Sequence, residues 1–319
     1  MSGAPDISVI VAAHNVGPYI ARAVMSALGQ DGVAVEVIVV DDGSTDSTRA
    51  ALSRIADPRV RRVDLPENRG PGAARNAGIA HATAPWIAIL DGDDAFASGR
   101  LARCLARARL LSADIVVDNI EVRREADDAR FPMFVPRKFA RMEALDLARF
   151  IAGNVFFRGG YSLGYLKPVF SMDFLRRNKI AYDSSLRIGE DYLFMCEALA
   201  CGARCALEPS IGYLYTARKG STSHRISSGD IERIIEGDRA FLARHKLDPK
   251  AAKVQKRRAA SLGEAHAFAQ LVAAIKQRDA TAALRAFAAH PLAARHLREA
   301  AWVRMKRPFA KAKRRTSHG

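Results

Sequence analysis

Long apolar runs are missing from this 319-residue chain. No stretch approaches the ~20 residues that a membrane-spanning helix needs. Cysteine is scarce: Cys104, Cys196, Cys201 and Cys205 are the whole set. No two of them stand at C-x2-C spacing and no His completes a set at the matching distance. The pattern therefore speaks against a zinc site and for reduced, partly buried thiols. Glycine-rich phosphate motifs are also absent. Without G-x-G-x-x-G after the first apolar run, a dinucleotide dehydrogenase is disfavoured, and without G-x-x-x-x-G-K-[ST] a P-loop ATPase is excluded. The opening Met1-Ser2-Gly3-Ala4-Pro5-Asp6 lacks the basic region and apolar stretch of a secretion signal, so a cytoplasmic protein is expected.

What is present is a globular composition with 49% hydrophobic and 26% charged residues, enough for a large core. Lys plus Arg exceed Asp plus Glu by 50 to 34, a net charge of +16. Residues 244–319 carry 19 basic and four acidic residues, whereas the rest of the chain is nearly balanced at 31 against 30. The positive excess thus sits in the last quarter and calls for an anionic partner or surface.

The first 120 residues alternate β-branched apolar runs with helical patterns. Strands are expected at Ile7–Ala13, Val35–Val40, Arg59–Leu65, Trp86–Leu90 and Ile115–Val117. Helices are expected at Tyr19–Leu28, Asp46–Ile55 (with Asp46 as a cap), Ala73–Ala82 and Leu101–Leu111. Apolar strands separated by helices imply α/β: a mixed, mostly parallel sheet with helices on both faces. Residues 121–168 read as irregular, with an aromatic and glycine-rich stretch at Asn154–Tyr161. Helices resume at Ser171–Asn178 and Glu190–Ala200, short strands follow near Arg204–Leu207 and Gly212–Tyr215, and a basic helical region runs from 229.

Open parallel sheets bind ligands beyond the carboxyl ends of their strands. Two of those ends are acidic: Asp41-Asp42-Gly43-Ser44-Thr45-Asp46 and Asp91-Gly92-Asp93-Asp94. Crowded carboxylates resist ionising unless a cation is near, and a hard divalent ion with oxygen ligands is the natural solution. Asp91 and Asp93 alternate around a glycine and can face one ion, with Asp94 an alternative to Asp91. Turn-making and helix capping are the competing explanation for such acids. The Asn68–Gly78 segment leads into a helix start, where free amides attract anions.

In order along the chain stand Ile7–Asn15, Asp41–Asp46, Gly72-Ala73-Ala74-Arg75-Asn76-Ala77-Gly78, Leu90-Asp91-Gly92-Asp93-Asp94 and Ile188-Gly189-Glu190-Asp191-Tyr192-Leu193-Phe194. Together they resemble the family 2 glycosyltransferases over about residues 5–225, and more loosely those of bacterial exopolysaccharide (succinoglycan-type) synthesis. The resemblance implies a glycosyltransferase A-type fold, a nucleotide-diphosphate-sugar donor such as a UDP-sugar, a divalent cation (Mg2+ or Mn2+) and inversion at the anomeric carbon. It implies a catalytic domain at 1–228, with a nucleotide-sugar half at 1–120 and an acceptor half at 121–228, followed by a basic helical extension at 229–319. Carried onto this chain, Asp41 and Asp42 contact base and ribose, Ala13 and Asn15 line the same pocket, and Arg75 faces the nucleotide beside Asn76. Asp93 lies at ribose and metal in the Asp91-Gly92-Asp93 turn, with Asp91 and Asp94 as further candidate metal ligands. Arg218 and His224 are candidates for the diphosphate. His14 reads as structural.

The chemistry agrees with that assignment. Cleaving a sugar–phosphate bond builds negative charge on the departing diphosphate, which a cation offsets. The attacking hydroxyl needs a carboxylate to take its proton. Asp191, at a helix start after a glycine, is the candidate base, with Glu190 as runner-up or orienting acid. The acceptor is expected to be a glycan or lipid-linked oligosaccharide. Trp302, Met305 and Phe309 among Arg304, Lys306, Arg307, Lys311, Lys313, Arg314 and Arg315 fit a basic helix touching an anionic membrane at the inner face of the cell. A merely solvated basic face competes with that reading. No nucleic-acid motif or stacking-aromatic array is present, so no nucleic-acid partner is expected. Two rival functions remain at this stage. One is a sugar-nucleotidyltransferase, although Ala12–Gly17 is not the glycine-rich basic loop that it needs. The other is a non-catalytic membrane or nucleic-acid adaptor that uses the basic tail.

Overall fold

The computed structural model describes residues 3–142, 144–218 and 226–291, with Arg295. The strands β1 (Ile7–Ala13), β2 (Val35–Asp42), β3 (Val60–Leu65) and β4 (Trp86–Asp91) form one parallel block of the sheet. Their β-branched residues suit a pleated surface covered on both faces, and Val9, Ile10, Val11, Val37, Ile38 and Val39 are fully buried. Three helices connect them: α1 (Ile20–Leu28), α2 (Thr48–Leu52) and α3 (Pro71–Ala80). The second is shorter than expected. Asp46 remains outside it, accepting from the amides of Thr48 at 2.9 Å and Gly17 at 3.1 Å.

The short β5 (Ala95–Phe96), α4 (Arg100–Leu111), β6 (Ile115–Arg124) and β7 (Ala129–Pro132) follow. The region expected to be irregular is therefore partly ordered. β6 runs beyond Val117 and forms an antiparallel pair with β7, and α5 (Pro136–Ala140) and α6 (Leu147–Ala152) come next. Alternation was hidden because Val116, Val117, Asp118 and Asn119 are all buried, so polar residues occupy inward positions. The Asp118 carboxylate there holds the buried Arg100 guanidinium at 2.7 and 2.9 Å.

A strand not expected from the sequence, β8 (Val169–Ser171), lies antiparallel between β4 and β6. Ser171 then caps α7 (Met172–Arg177), and α8 (Glu190–Ala200) follows. The two short strands expected near 204–215 are one, β9 (Cys205–Ala217), parallel to β6 with a bulge. Pro209 sits where the register shifts; it has no N–H for the ladder, which broke the pattern read from sequence. The sheet order is β3-β2-β1-β4-β8-β6-β9-β5, with β7 beside β6.

The helices α9 (Ser228–Arg244), α10 (Pro249–Gln277) and α11 (Ala280–Ala289) complete the described chain. Phe241 joins the main core, while Ile231, Ile234, Leu262 and Ala265 form a second cluster with Phe156 and Ile188. Arg258 of α10 is 3% exposed, pairs with Asp238 at 2.9 Å and lies 3.6 Å from the Tyr192 ring centroid. Through Arg258, α10 is thus packed against the helix that begins with Glu190 and Asp191.

Candidate active site

The carboxyl ends of β1, β2 and β4 open onto a cleft of about 780 Å³. Its far wall comes from residues 153–167 and from the start of α8, so residues over a hundred positions apart share one space. Three glycines let the walls meet. A Cβ on Gly78 would lie 2.4 Å from Ile10 Cγ2, so only glycine lets α3 settle on β1. A Cβ on Gly92 would lie 2.9 Å from Val16 and 3.1 Å from the Ala12 carbonyl oxygen, which accepts the Gly92 N–H. Gly189, at φ +89°, turns the chain into α8.

At the centre stands a cluster of charges. Arg75, 3% exposed, donates to Asp91 Oδ1 at 2.7 Å and to Glu190 Oε1 at 2.7 Å, and approaches Asp191 Oδ1 at 2.9 Å. Lys167, also buried, bridges Asp91 Oδ2 at 2.8 Å and Asp191 Oδ2 at 2.6 Å. Burial alone would raise the Asp91 pKa; the Lys167 and Arg75 cations outweigh it and hold this carboxyl well below the usual range. Lys167 is likewise held protonated: burial opposes its charge, but Asp191 and Asp91 push its pKa up. Glu190 moves the other way, raised by burial and the neighbouring Asp191 despite Arg75. The Arg75 ring contact with Tyr182, at 5.3 Å, completes its seat.

The acids around Asp93 have different surroundings. Asp94 is buried, accepting from Tyr213 Oη at 2.7 Å and the Thr216 amide at 2.7 Å, and is not on the cleft wall. Burial, with Asp93 and Asp91 nearby, raises its pKa well above the ordinary carboxylate range. Asp93 lines the cleft with one oxygen on Arg218 Nε at 2.7 Å; the other has no protein partner among the described residues. Arg218 also stacks 5.3 Å from the Tyr19 ring, and Arg22 donates to the Asp93 carbonyl at 2.6 Å.

The remaining expected residues divide. Ala13, Asp42 and Gly92 line the cleft. The Asp42 carboxylate accepts from the amides of Arg69 at 2.8 Å and Gly70 at 2.9 Å, fixing the turn before α3. His14 braces this end of β2 from the side, its Nδ1 donating to the Asp42 carbonyl oxygen at 2.7 Å. Asp41 is not among the cleft-lining residues. It is buried, takes the Arg49 guanidinium at 2.7 Å and accepts from the Ser44 amide at 3.1 Å. Asn15 is exposed at φ +51°, accepting from the Thr45 amide at 2.9 Å, and organises the loop after β2. Asn76 forms a two-way pair with the Tyr182 backbone at 2.8 and 2.9 Å and also lies off the cleft. His224 falls outside the described residues, as do Trp302, Met305, Phe309 and the basic positions around them.

Lys167, Arg187 and Arg258 line the cleft and were not anticipated. Nothing in a lone lysine between Leu166 and Pro168 marks it, because its partners arrive from β4 and α8. Arg187 is exposed on the cleft and makes no ion pair among the described residues. A metal centre built wholly from protein does not occur here: the described residues contain no group of three or more His, Cys, Asp or Glu able to hold an ion. The residues do fit an ion held partly by phosphate oxygens, the usual arrangement for Mg2+. Asp93 offers it one carboxylate oxygen on the cleft that has no protein partner among the described residues, whereas both oxygens of Asp91, like both of Asp191, face Arg75 and Lys167, and Asp94 takes Tyr213 and Thr216.

The fold and this acid-lined cleft define a glycosyltransferase of the A-type fold. The family model "Glycosyl transferase family 2" matches residues 8–172, and the chain belongs to that family. It is 46% identical over 314 residues to the succinoglycan biosynthesis protein ExoO of Rhizobium meliloti (strain 1021), spanning 98% of this chain and 90% of that one. It is 39% identical to the succinoglycan biosynthesis protein ExoU of the same strain, over 77% of this chain and 72% of that one. Among solved structures, S. aureus TarS 1–349 in complex with UDP-GlcNAc matches with a TM-score of 0.65 at 19% identity, covering 90% of this chain and 92% of that one. The mannosyltransferase PcManGT from Pyrobaculum calidifontis, in complex with GDP-Man and Mn2+, matches with a TM-score of 0.61 at 22% identity, covering 97% and 83%. Among the described residues, no helix is long and apolar enough to cross a membrane.

Proposed function

We propose that the chain is an inverting, metal-dependent glycosyltransferase. It moves a sugar from a nucleotide-diphosphate sugar to a hydroxyl of a glycan or lipid-linked oligosaccharide in bacterial exopolysaccharide synthesis. One observation carries this reading: Asp93, at the end of β4, and Asp191, at the start of α8, line one cleft, and Lys167 ties the Asp91-Gly92-Asp93 turn to Asp191. The names of the two Rhizobium relatives support the pathway, and the nucleotide sugars in the TarS and PcManGT complexes support the donor class.

In this reading residues 1–120 take the donor and 121–228 the acceptor. Asp42 and Ala13 flank the base and ribose, and Arg218, with His224 as a further candidate, meets the diphosphate. Asp93 would hold a Mg2+ or Mn2+ ion, which would supply charge neutralisation for the diphosphate leaving group. The acceptor hydroxyl attacks the anomeric carbon from the face opposite the diphosphate. As the new C–O bond forms and the sugar–phosphate bond breaks, Asp191 takes the hydroxyl proton and the nucleoside diphosphate departs. Arg75 and Lys167 orient Asp191, and Glu190 shares Arg75 with it. The basic region 229–319 is an extension that holds the enzyme at the inner face of the anionic cell membrane from the cytoplasmic side; nucleic acid is not a partner.

The test is a panel of UDP-glucose, UDP-galactose, UDP-GlcNAc and GDP-mannose with Mn2+ or Mg2+. One sugar nucleotide is expected to raise the melting temperature and to release its nucleoside diphosphate in a metal-dependent way. Proton NMR of the product is expected to give the opposite anomeric configuration. If no donor binds with either ion, or the configuration is retained, the reading fails.

A further inference from the structure

The acceptor side of the cleft carries a structure that the transfer chemistry leaves unused. Residues 154–163 leave α6 and return to the same point: the Leu163 amide donates to the Gly153 carbonyl at 3.2 Å and the Gly164 amide to Asn154 Oδ1 at 2.8 Å. A neck closed this way makes a compact surface loop of the Ω type. The neck is fastened from α10, where Arg258 donates to the Asn154 carbonyl at 2.5 Å and Ser261 accepts the Phe156 amide at 3.1 Å. At the tip, Gly159 and Gly160 stand at φ +77° and +73° with open space where a Cβ would be. The pair is there for backbone conformation, and it turns the chain so that Tyr161 meets Tyr165.

The result is a row of rings. Tyr161 packs edge-on against Tyr165 at 5.6 Å and 88°, and Tyr165 against Tyr215 at 5.7 Å and 80°. All three line the cleft, although they come from the loop, from the 3-10 turn Leu163–Tyr165 and from β9. The middle ring is the one tied to the charge cluster along the chain: Tyr165 stands two residues before Lys167, which bonds Asp191. Tyr215 ends the row on β9, next to Thr216, whose amide donates to Asp94 of the β4 turn.

We propose that Tyr161, Tyr165 and Tyr215 are the acceptor seat: a shelf for the C–H face of a pyranose ring, which presents a ring hydroxyl to Asp191. The ligand chemistry follows from the shelf. A pyranose has an apolar face of C–H groups and an edge of hydroxyls, and tyrosine offers an aromatic body with a polar tip to match both. Tyr161 is 39% exposed, so the shelf opens outward along the direction in which the rest of a glycan leaves. This assignment rests on the transferase reading above.

Saturation-transfer NMR on the full chain tests it, with methyl β-glucopyranoside, methyl β-galactopyranoside and decyl maltoside as probes. Irradiating aromatic protons is expected to saturate the axial C–H protons of a pyranoside ring. Tyr165→Ala is expected to weaken that binding about three- to tenfold and Tyr165→Phe to keep most of it. The UDP-induced rise in melting temperature serves as the folding control and should persist in both variants. The proposal is overturned if neither methyl glycoside binds, if Tyr165→Ala binds as tightly as the parent, if the UDP response is lost in parallel, or if saturation stays on the decyl chain. Tyr165-dependent pyranoside binding in a protein that turns over no sugar nucleotide would sink the transferase reading and leave the shelf standing.

Discussion

Three aspartates within four positions have three different fates. Asp91 binds two cations, Asp94 is sealed beneath Tyr213, and Asp93 keeps an oxygen for the cleft. Replacing Asp93 with Ala is therefore expected to abolish metal-dependent donor turnover, measured as nucleoside diphosphate release with and without EDTA. Asp191→Asn keeps the size and the Lys167 contact but cannot take a proton. Transfer is expected to fall by ~10² or more while donor affinity stays near normal; lost affinity at an intact rate would contradict the base role. Composition and motif order made Asp42, Asp93, Glu190 and Asp191 legible as a set. They did not reveal that Asp41, Asn15 and Asn76 turn away to hold loops, because Asp and Asn serve turns and ligands with the same atoms. Lys167 was invisible because its meaning lies in partners from other elements.

The same residues set a pH response. Lys167 and Arg75 keep Asp91 below its unfolded pKa, against the effect of burial. A depressed carboxyl contributes stability that is complete above the unfolded value of about 3.9 and is lost as pH falls through the folded value. Asp41, Asp46, Asp146 and Asp230 are shifted in the same direction. Glu190 has the opposite sign, so its contribution declines as pH rises through its raised pKa. Thermal unfolding followed from about pH 7 to pH 3 is expected to show the steepest loss below about pH 4.

Among the elements, α3 and α10 show how position outweighs propensity. Gly78 lies inside α3, where Ala would ordinarily gain up to about 1 kcal/mol. Its Cβ would meet Ile10 at 2.4 Å, so Gly78→Ala is expected to cost about 1–3 kcal/mol in denaturant unfolding and to displace Arg75. Arg258 of α10 is sealed between Asp238, Tyr192 and the Asn154 carbonyl. Arg258→Met leaves the buried Asp238 carboxylate without its cation and with the Gln255 amide at 3.0 Å as its remaining donor, at an expected cost of about 3 kcal/mol. β1, β2 and β4 were readable because each is a short, largely apolar run between turns, and β3 because two valines and a leucine are interleaved with charged residues. β8 and the far half of β6 were not: one has three residues, and the other carries buried Asp118 and Asn119 in its inward positions. Their place depends on Arg100 and on a sheet assembled from distant segments.

Over the whole molecule, the net charge of +16 is concentrated beyond residue 243. Sedimentation with phosphatidylglycerol vesicles is expected to retain the full chain at low salt and to release it as ionic strength rises; a chain that ignores such vesicles would remove membrane attachment from the proposal. Part of that charge has another task, since Arg258 is buried against Asp238, the Tyr192 ring and the Asn154 carbonyl. The Lys167 bridge between the two halves of the cleft also has a consequence for anyone who recombines them. A chimera joined between Asp91 and Lys167 to a parent that lacks the matching partner has either an ammonium without its second carboxylate or a carboxylate without the ammonium. Productive hybrids of this family should be those in which lysine and both acids are inherited as one unit, whichever parent supplies it.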